Sequence, residues 1–516
     1  MTDGGATARR FHDRTAHSPH SVRTSGHTLD WDVKPFPFKI YADLEAIPLP
    51  RDFGVVATDT CTALAARDTA PATRFDLTAL AAVLYYAAGV TKKKTYPGGA
   101  EVLFRAAAST GALYQTEVYV AAGAIDGLEP GLYHFCPGDF SLRRLRVGDI
   151  RDALADAASS ESIGKRAATI VLSAIYWRNT WKYQARGFRH LFWDSGTMLA
   201  NLDATADALG LAPMTFTGFV DAAVNRIVGL DPTREGALAL VALGPETSRA
   251  VAGRIDPLAH RTVPLSSSEV DYPLLREAYE ASSLASPADV PAWRRRPAPA
   301  PRRPQGELRR LSAARAGCGR SLGDTIQRRG STRDFSHEPI SEIELATTLW
   351  YATRWPGIDV SHGLVDLYLI VNAVDDVAPG AYCYWPGEHA LETIRAGAFR
   401  DRASWLTLEQ ALGGDAAATI FFLAPLDAVL AVYGDRGYRL VNLEAGWIGG
   451  RAYLAAYAQG FGASGLTFYD AHVVDFFRPH AEGKDAIFVT ALGRSRVAVR
   501  SDQTVIPVTS RLRRSG

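Results

Sequence analysis

Runs in which apolar and polar residues alternate predict β-strands at several places along the chain. The segment VYVAAGAIDGLEPGLYHFCPG, which ends at Gly138, contains an alternating strand, a Pro-Gly turn and a second strand. A segment with the same order, LYLIVNAVDDVAPGAYCYWPG, ends at Gly387. Residues 187–210 instead have apolar side chains three or four positions apart, which predicts a long helix. The pattern indicates a mixture of helices and strands in which one strand–turn–strand unit occurs twice.

Other segments repeat at nearly the same distance, which predicts a duplicated domain. TIVLSAIYWRNTWKYQARGFR begins at Thr169, and TIFFLAPLDAVLAVYGDRGYR begins at Thr419. ALALVALG ends at Gly244, and AIFVTALG ends at Gly493. Each copy is expected to contain a helix, three strands, a long helix and a final strand.

The boundaries of the two copies follow from changes in composition. The stretch from Arg294 to Pro304 contains only Arg, Pro and Ala, which predicts an extended and semi-rigid linker. We therefore expect a poorly ordered tail over residues 1–30, a first copy over 31–265, a Pro/Arg-rich linker over 266–310, a second copy over 311–500 and a C-terminal tail over 501–516.

Composition excludes several classes of protein. Of the 516 residues 47% are hydrophobic, which is too many for a disordered chain. Lys and Arg number 56 against 55 Asp and Glu, so the basic excess of a dedicated nucleic-acid binder is missing. No apolar run reaches the ~18 residues of a membrane span, and the N-terminus has no apolar core of a secretory signal. We expect a cytoplasmic protein without a membrane or nucleic-acid partner.

The four cysteines have no spacing that predicts a metal site. Cys61, Cys136, Cys318 and Cys383 form no C-x-x-C pair, so neither a zinc site nor a redox dithiol is expected. Each cysteine is expected to be a small buried side chain.

Small residues recur four apart on both predicted long helices. Gly196, Ala200 and Ala204 form one such stripe, and Gly446 and Gly450 lie on the equivalent helix. Such stripes let two helix backbones approach closely, so the copies could pair through these helices. The same stripes would also fit helices that pack on a sheet.

The second copy carries a candidate anion clamp. In QRRGSTRDF, residues 327–335, two guanidinium groups and a hydroxyl alternate at the end of a short helix, at Arg329, Ser331 and Arg333. Such groups can hold a phosphate through charge-assisted hydrogen bonds. Basic clusters at helix ends are also common without a ligand. The first copy has DTAPATRFDL at this place and lacks the clamp.

The first copy carries a candidate loop for a flat ligand. RAAASTGALYQTEVYV, from Arg105, offers small side chains and backbone N–H groups. The candidate residues are Arg105, Ala108, Ser109, Thr110 and Gly111. The second copy lacks this loop, so a site shared between the copies would use the loop and the clamp once each.

A third difference between the copies concerns Lys182. WKYQARGFR aligns with AVYGDRGYR, so that Tyr183 corresponds to Tyr433 whereas Lys182 corresponds to Val432. Burial beside aromatic residues would lower the pKa of Lys182 and make it a usable base near neutral pH. A surface lysine that covers aromatic rings would have the same pattern.

Several segments resemble one family. ARRFHDRTAHS, LDWDVKPFPFKIY, RAAASTGALYQTEVYV, GLEPGLYHF, WKYQARGFRH and RGSTRDF are similar to those of SagB/ThcOx-type dehydrogenases, a branch of the FMN-dependent nitroreductase superfamily. The resemblance implies an α+β nitroreductase-like fold, duplicated here as an intramolecular pseudo-dimer that binds FMN between the copies. It also implies that the clamp holds the phosphate and ribityl groups and that the loop lies against the isoalloxazine ring. By the same resemblance Gly465 and Leu466 approach the ring, and Arg494 and Arg496 approach the phosphate.

Members of this branch oxidise thiazoline and oxazoline rings to azoles, and their essential Lys-Tyr pair matches Lys182 and Tyr183. The resemblance therefore implies an FMN-dependent dehydrogenase of a peptide or small-molecule azoline, with a cyclodehydratase complex as a candidate partner. Gln115 departs from the family, which usually has proline there. Two alternatives remain: a general NAD(P)H-dependent nitro- or quinone reductase, and a catalytically silent partner in a peptide-modifying assembly.

Overall fold

The repeated strand–turn–strand unit forms the centre of two β-sheets. A computed structural model describes residues 4–65, 72–95, 101–248, 255–300, 302–355 and 357–496; the expected C-terminal tail over 501–516 lies outside these residues. The helices up to residue 300 are α1 (Ala6–Arg14), α2 (Pro19–Thr24), α3 (Thr60–Ala65), α4 (Leu77–Ala88), α5 (Arg151–Ala157), α6 (Glu161–Lys165), α7 (Tyr176–Tyr183), α8 (Gly187–Ala208), α9 (Asp221–Val228), α10 (Pro273–Ala281) and α11 (Asp289–Arg294). The strands of this part are β1 (Ile47–Pro48), β2 (Val90–Thr95), β3 (Glu101–Arg105), β4 (Thr116–Ala122), β5 (Gly131–Cys136), β6 (Ser141–Val147), β7 (Arg166–Ile175), β8 (Met214–Phe216) and β9 (Glu235–Glu246).

The second half repeats this order. Its helices are α12 (Leu322–Arg328), α13 (Glu342–Ala352), α14 (Arg400–Leu406), α15 (Ala411–Asp415), α16 (Leu426–Tyr433), α17 (Arg436–Ala458) and α18 (Asp470–Phe476). Its strands are β10 (Leu308–Arg310), β11 (Gly357–Ile358), β12 (Asp366–Val371), β13 (Gly380–Trp385), β14 (Ala390–Ala396), β15 (Ala418–Ala424), β16 (Gly462–Gly465) and β17 (Asp485–Gly493). Short 3₁₀ turns cover Thr110–Ala112 and Gln184–Arg186.

The two main sheets have the same strand order, as the duplication predicts. Within the described residues the first sheet runs β1-β6-β5-β4-β7-β9-β8-β11 and the second runs β10-β14-β13-β12-β15-β17-β16. The central pairs β4–β7 and β12–β15 are antiparallel. Strand β11 of the second copy pairs with β8 of the first copy. The copies are therefore joined through a sheet edge as well as through helices.

The long helices α8 and α17 pack directly on each other. A β-carbon added to Gly196 would overlap with the backbone of α17 at Leu443, and one added to Gly446 would overlap with the backbone of α8 at Trp193. The Trp193 indole N–H also donates to Asn442 Oδ1 over 2.7 Å. The small-residue stripes therefore lie where the two long helices approach each other most closely.

The expectation of a poorly ordered tail over residues 1–30 is wrong for its described part. Helix α1 buries Phe11 completely, against the rings of Phe188 and Tyr438. Arg189 donates to the carbonyl of His12 over 2.7 Å. Helix α1 is therefore held by the burial of Ala8 and Phe11 and by this contact, although no long apolar run marks it in the sequence.

The expectation of an extended linker over residues 266–310 is also wrong where the chain forms helices α10 and α11. Helix α10 buries Tyr279, and Arg439 of α17 donates to the Tyr279 carbonyl over 2.6 Å. This contact is equivalent to that of Arg189 with α1. Helix α11 follows α10 as α2 follows α1, and it buries Trp293. Each copy therefore begins with its own helix pair, and the repeat is longer than the sequence comparison indicated.

The cysteines are only partly as expected. Cys136 and Cys383 are free and buried. Cys61 and Cys318 instead form a disulfide between α3 and the residues before α12, which the sequence did not predict because the two lie 257 positions apart.

Among the helices of the described residues, none combines the length and apolar character needed to cross a membrane.

Candidate active site

A cavity of about 450 Å³ lies where the two copies meet. Its first-copy lining includes Ala108, Ser109, Thr110, Gly111, Lys182, Tyr183, Trp193, Asp194 and Thr197. Its second-copy lining includes Ser331, Arg333, Gln410, Tyr453, Gly465, Leu466, Thr467 and Phe488. The structure thus brings together the small-residue loop, the Lys-Tyr pair and part of the clamp, as expected for a site that uses each once.

A buried carboxylate holds the loop in place. Asp194 of α8 accepts hydrogen bonds from the Ser109 hydroxyl, from the Thr110 backbone N–H and hydroxyl, and from the Gln115 amide, at 2.6–3.0 Å. Burial raises the pKa of Asp194 to about 6, although these hydrogen bonds act in the opposite direction. The loop is therefore fixed to the central helix.

Gly111 is required for the close approach of the loop to Tyr183. Its φ of 66° lies in the left-handed region that favours glycine. A β-carbon at this position would lie 2.9 Å from the Tyr183 hydroxyl. Tyr183 also packs edge-on against His190, with ring centroids 4.5 Å apart. The loop and the packed His190 thus determine where the Tyr183 hydroxyl lies.

Lys182 is half-buried beside the Tyr183 ring, with its Nζ 5.4 Å from the ring centroid. Burial lowers its pKa below the ordinary value of 10.5, and the positive charges of Arg333 and Lys34 lower it further. This lowered pKa agrees with the expectation from the sequence that burial lowers the pKa of Lys182. An amine with a lowered pKa in a cavity is suited to accept a proton.

The three clamp residues have different positions. Arg333 is exposed in the cavity, and the Ser331 hydroxyl lies 3.3 Å from that of Tyr453. Arg329 is buried and donates to the carbonyls of Arg105 and Ala106 in the first copy, at 2.9 and 2.8 Å. Arg329 therefore ties the clamp to the loop and does not line the cavity.

Other predicted residues also lie outside the cavity lining. Arg105 is buried and donates to the Pro37 carbonyl over 2.6 Å. Arg494 pairs with Glu344 at 2.8 Å. Arg496 donates to the Phe335 carbonyl over 3.0 Å. Gly465 and Leu466 do line the cavity, as the resemblance implied.

Sequence reasoning missed the residues that support this site. Asp194 and Gln115 hold the loop, and the Tyr453 hydroxyl accepts the Gly465 N–H beside the clamp. The first of these had a detectable signal, because an acidic residue stands at the same place in both long helices. Gln115 was noted only as a departure from the family's usual proline, and Tyr453 gave no signal, since a tyrosine within a helix has many ordinary uses.

The equivalent place in the other half is covered. The equivalents of Tyr183 and Lys182 are Tyr433 and Val432, which contact α11 and the segment that follows it. Arg296 donates to the Val432 carbonyl over 2.7 Å, and the Trp293 indole donates to the Tyr433 carbonyl over 3.1 Å. Arg294 donates to Asp359 over 2.6 Å. Side chains of this segment therefore occupy the space beside Val432 that is equivalent to the open space beside Lys182.

The second place also carries acidic groups. Asp203 and Asp207 of α8 are the equivalents of Tyr453 and Tyr457 of α17, 250 residues later. Asp203 is buried, and burial raises its pKa. The second place therefore has carboxyl groups where the first has tyrosine hydroxyl groups.

Comparisons with known proteins agree with this architecture. Residues 76–245 and 326–493 both match the Nitroreductase family, one match in each copy. The chain is 28% identical to a nitroreductase-type protein of Anabaena variabilis with a crystal structure, at a TM-score of 0.78, over 95% of this chain and 99% of that one.

Two relatives match shorter parts. A nitroreductase-type protein of Methanocaldococcus jannaschii is 29% identical over 29% of this chain and 72% of its own length. The microcin B17-processing protein McbC of Escherichia coli is 27% identical over 24% of this chain and 47% of its own length. The family matches cover both copies and confirm the expected fold class: the chain belongs to the Nitroreductase family, with two tandem copies of its fold.

Proposed function

We propose that the protein is an FMN-dependent dehydrogenase that oxidises thiazoline or oxazoline rings of a peptide or peptide-like molecule to azoles. The observation that carries the proposal is the composite cavity, in which Lys182 and Tyr183 of one copy face Ser331, Arg333 and Gly465 of the other. Family membership supports an oxidoreductase. The similarity to McbC supports a role in processing a natural product.

The residues of the cavity fit FMN. The loop from Ala108 to Gly111 presents small side chains to a flat ring, and the indole of Trp193 and the ring of Phe488 form an apolar floor with centroids 5.2 Å apart. Arg333 supplies a positive charge at the clamp end. FMN, when bound, would supply the redox chemistry by accepting a hydride.

Lys182 would remove the proton that leaves the azoline ring together with the hydride. Loss of one proton and one hydride converts the ring into the azole, so the electrons balance with two-electron reduction of the cofactor. Molecular oxygen is the acceptor we expect to reoxidise it. Tyr183 would orient the substrate or Lys182, because packing against His190 and Gly111 fixes its hydroxyl. The buried walls of the long helices would exclude water from the reacting atoms.

The substrate must come from a reaction that closes a Cys, Ser or Thr side chain onto the preceding carbonyl with loss of water. A cyclodehydratase is therefore the partner class we propose. The cytoplasm, which holds peptide precursors before export, is the compartment we propose for both proteins.

Anaerobic reduction distinguishes this function from the alternatives. The FMN-loaded protein is mixed with a thiazoline-containing peptide or with NAD(P)H, and bleaching of the flavin absorbance is followed. Bleaching by the thiazoline peptide with formation of one thiazole per flavin supports the proposal. Fast bleaching by NAD(P)H alone would favour a general reductase. A purified chain that retains no flavin would favour a catalytically silent partner.

A further inference from the structure

A second cavity, of about 560 Å³, adjoins the first at Lys182 and Tyr183. The two cavities share Lys182, Tyr183 and Thr467 as lining residues. The outer walls of the second cavity come from residues 14–27, around α2, and from residues 272–274 at the start of α10. A molecule in this chamber would contact the Lys-Tyr pair next to the cofactor cavity.

The chamber contains a buried guanidinium group with unused donors. Arg186 is 4% exposed, and its Nη1 donates to the Thr15 carbonyl and pairs with Asp470 at 3.1 Å. Its Nε and Nη2 are buried without a hydrogen-bond partner. Unpartnered buried donors are costly, and a ligand oxygen is one of the few groups that would satisfy them.

The equivalent residue of the second copy has no such vacancy. Arg436 donates from Nε and Nη2 to the Thr217 carbonyl at 2.9 and 2.7 Å, and from Nη1 to Asp221 and the Ser282 carbonyl. The fold can therefore give each of the three nitrogens of this arginine a partner among its own atoms. These partners are present for Arg436, in the copy whose chamber is filled by Trp293 and Arg294. They are missing for Nε and Nη2 of Arg186, in the copy whose chamber is open.

The charges of the chamber favour an oxygen acceptor. Among its described lining residues there is no Asp or Glu, whereas Arg14 and Arg186 both contribute. Burial and the neighbouring Arg189 lower the pKa of Arg186 only to about 10, so it stays cationic at neutral pH. Burial also lowers the pKa of His17 to about 3, so this imidazole is neutral.

We propose that this chamber is the substrate site and that Arg186 donates from Nε and Nη2 to the acyl oxygen attached to the azoline ring. The inference rests on the proposed function, because it adds to that function the group by which the substrate is held. The ring would then lie between Arg186 and the cofactor cavity, within reach of Lys182.

The test compares two small ligands, thiazoline-4-carboxamide and unsubstituted thiazoline, by calorimetric titration of the FMN-loaded protein. The parent should bind the carboxamide at least about tenfold more tightly, as a charge-assisted hydrogen bond provides. Arg186→Met should reduce this preference to near one and leave thiazoline binding unchanged. Asp470 keeps its 2.6 Å contact with Arg189 in this variant, and flavin absorbance and melting temperature verify that it is folded.

Two further variants keep the inference testable if Arg186→Met does not fold. Val22→Trp, on the chamber wall, should weaken binding of both ligands. His20→Trp, an exposed change on the same helix, should weaken neither. Equal binding of the two ligands by the parent, or unchanged binding by Val22→Trp, would overturn the inference. A parent without flavin would instead overturn the proposed function, and the ligand preference would then be measured on the flavin-free chain.

Discussion

Asp194 and Glu444 occupy equivalent positions on α8 and α17, and each carboxyl group accepts backbone N–H groups from the loop of its own copy. Asp194 accepts from Thr110 at 2.8 Å, and Glu444 accepts from Leu364 and Val365 at 2.7 and 3.0 Å. The carboxyl-to-loop contact is therefore a property of the fold. What differs between the copies is the content of the loop, and of the two described loops the first lines the cavity of about 450 Å³.

Asp194→Asn should loosen the loop and weaken FMN binding. Asp194 is surrounded by four donors, and an amide presents its own NH₂ group to some of them, which costs about 1–3 kcal/mol for each donor left without an acceptor. Fluorescence titration with FMN gives the dissociation constant. The matched control is Glu444→Gln, which should leave FMN binding unchanged. Burial raises the pKa of Glu444 to about 8, so its carboxyl is already largely protonated at neutral pH.

We expect one FMN per chain. Only one of the two equivalent places has the small-residue loop, a clamp and open space, whereas Trp293 and Arg294 cover the other. Flavin absorbance of the denatured protein, divided by the protein concentration, gives the ratio. A ratio near two would contradict the composite site.

Arg333→Ala should weaken FMN binding by about 1.5–3 kcal/mol, the usual value of a hydrogen bond to a charged group. The measured quantity is the dissociation constant of FMN, with riboflavin as the comparison. If Arg333→Ala weakens the binding of FMN but not that of riboflavin, Arg333 contacts the phosphate. If it weakens the binding of both equally, Arg333 contacts the ring. Arg294→Ala, at the filled place, should change neither constant.

Gly196→Leu or Gly446→Leu should lower the free energy of unfolding by about 1–3 kcal/mol or more, because a side chain at either place overlaps with the backbone of the facing helix. Urea unfolding followed by tryptophan fluorescence measures the change. Gly387→Leu is a matched control, since an added β-carbon there has nothing within 4 Å. Equal stability of Gly196→Leu and the control would mean that the helices do not rely on this contact.

The sequence predicted the duplication and the composite site because both are recorded in differences between aligned segments. Lys182 against Val432 and the clamp against DTAPATRFDL needed no structure to be noticed. The starting helices of each copy were missed for a physical reason. Only a few side chains of α1, such as Phe11, are buried, and a contact such as that from Arg189 of α8 to the His12 carbonyl leaves no apolar periodicity in the sequence.

The roles of the arginines were the least predictable part. Arg329 and Arg333 are four residues apart in one motif, yet one holds the loop backbone and the other faces the cavity. Arg186 and Arg436 align in the repeat and still differ in how many donors are satisfied. A guanidinium has five donors, and which of them meet protein atoms depends on tertiary contacts with segments far away in the chain.

Lys182→Ala should retain the fold and the bound FMN and should slow substrate oxidation by about 10²–10⁴-fold, the usual contribution of a general base. Because burial and the nearby cations lower the pKa of Lys182, the parent rate should rise with pH and level off at a pH below the ordinary 10.5 of a lysine. Lys34→Gln removes one of those cations at an exposed position, so it should raise the pKa and shift this rise to higher pH. Tyr183→Phe should slow substrate oxidation less than Lys182→Ala does if the Tyr183 hydroxyl only orients the substrate or Lys182. The rate of thiazole formation over a pH series measures all of these effects, with flavin absorbance as the check on folding. If Lys182→Ala loses FMN, the lysine is structural; if it oxidises the substrate at the parent rate with the same pH profile, the base is another group.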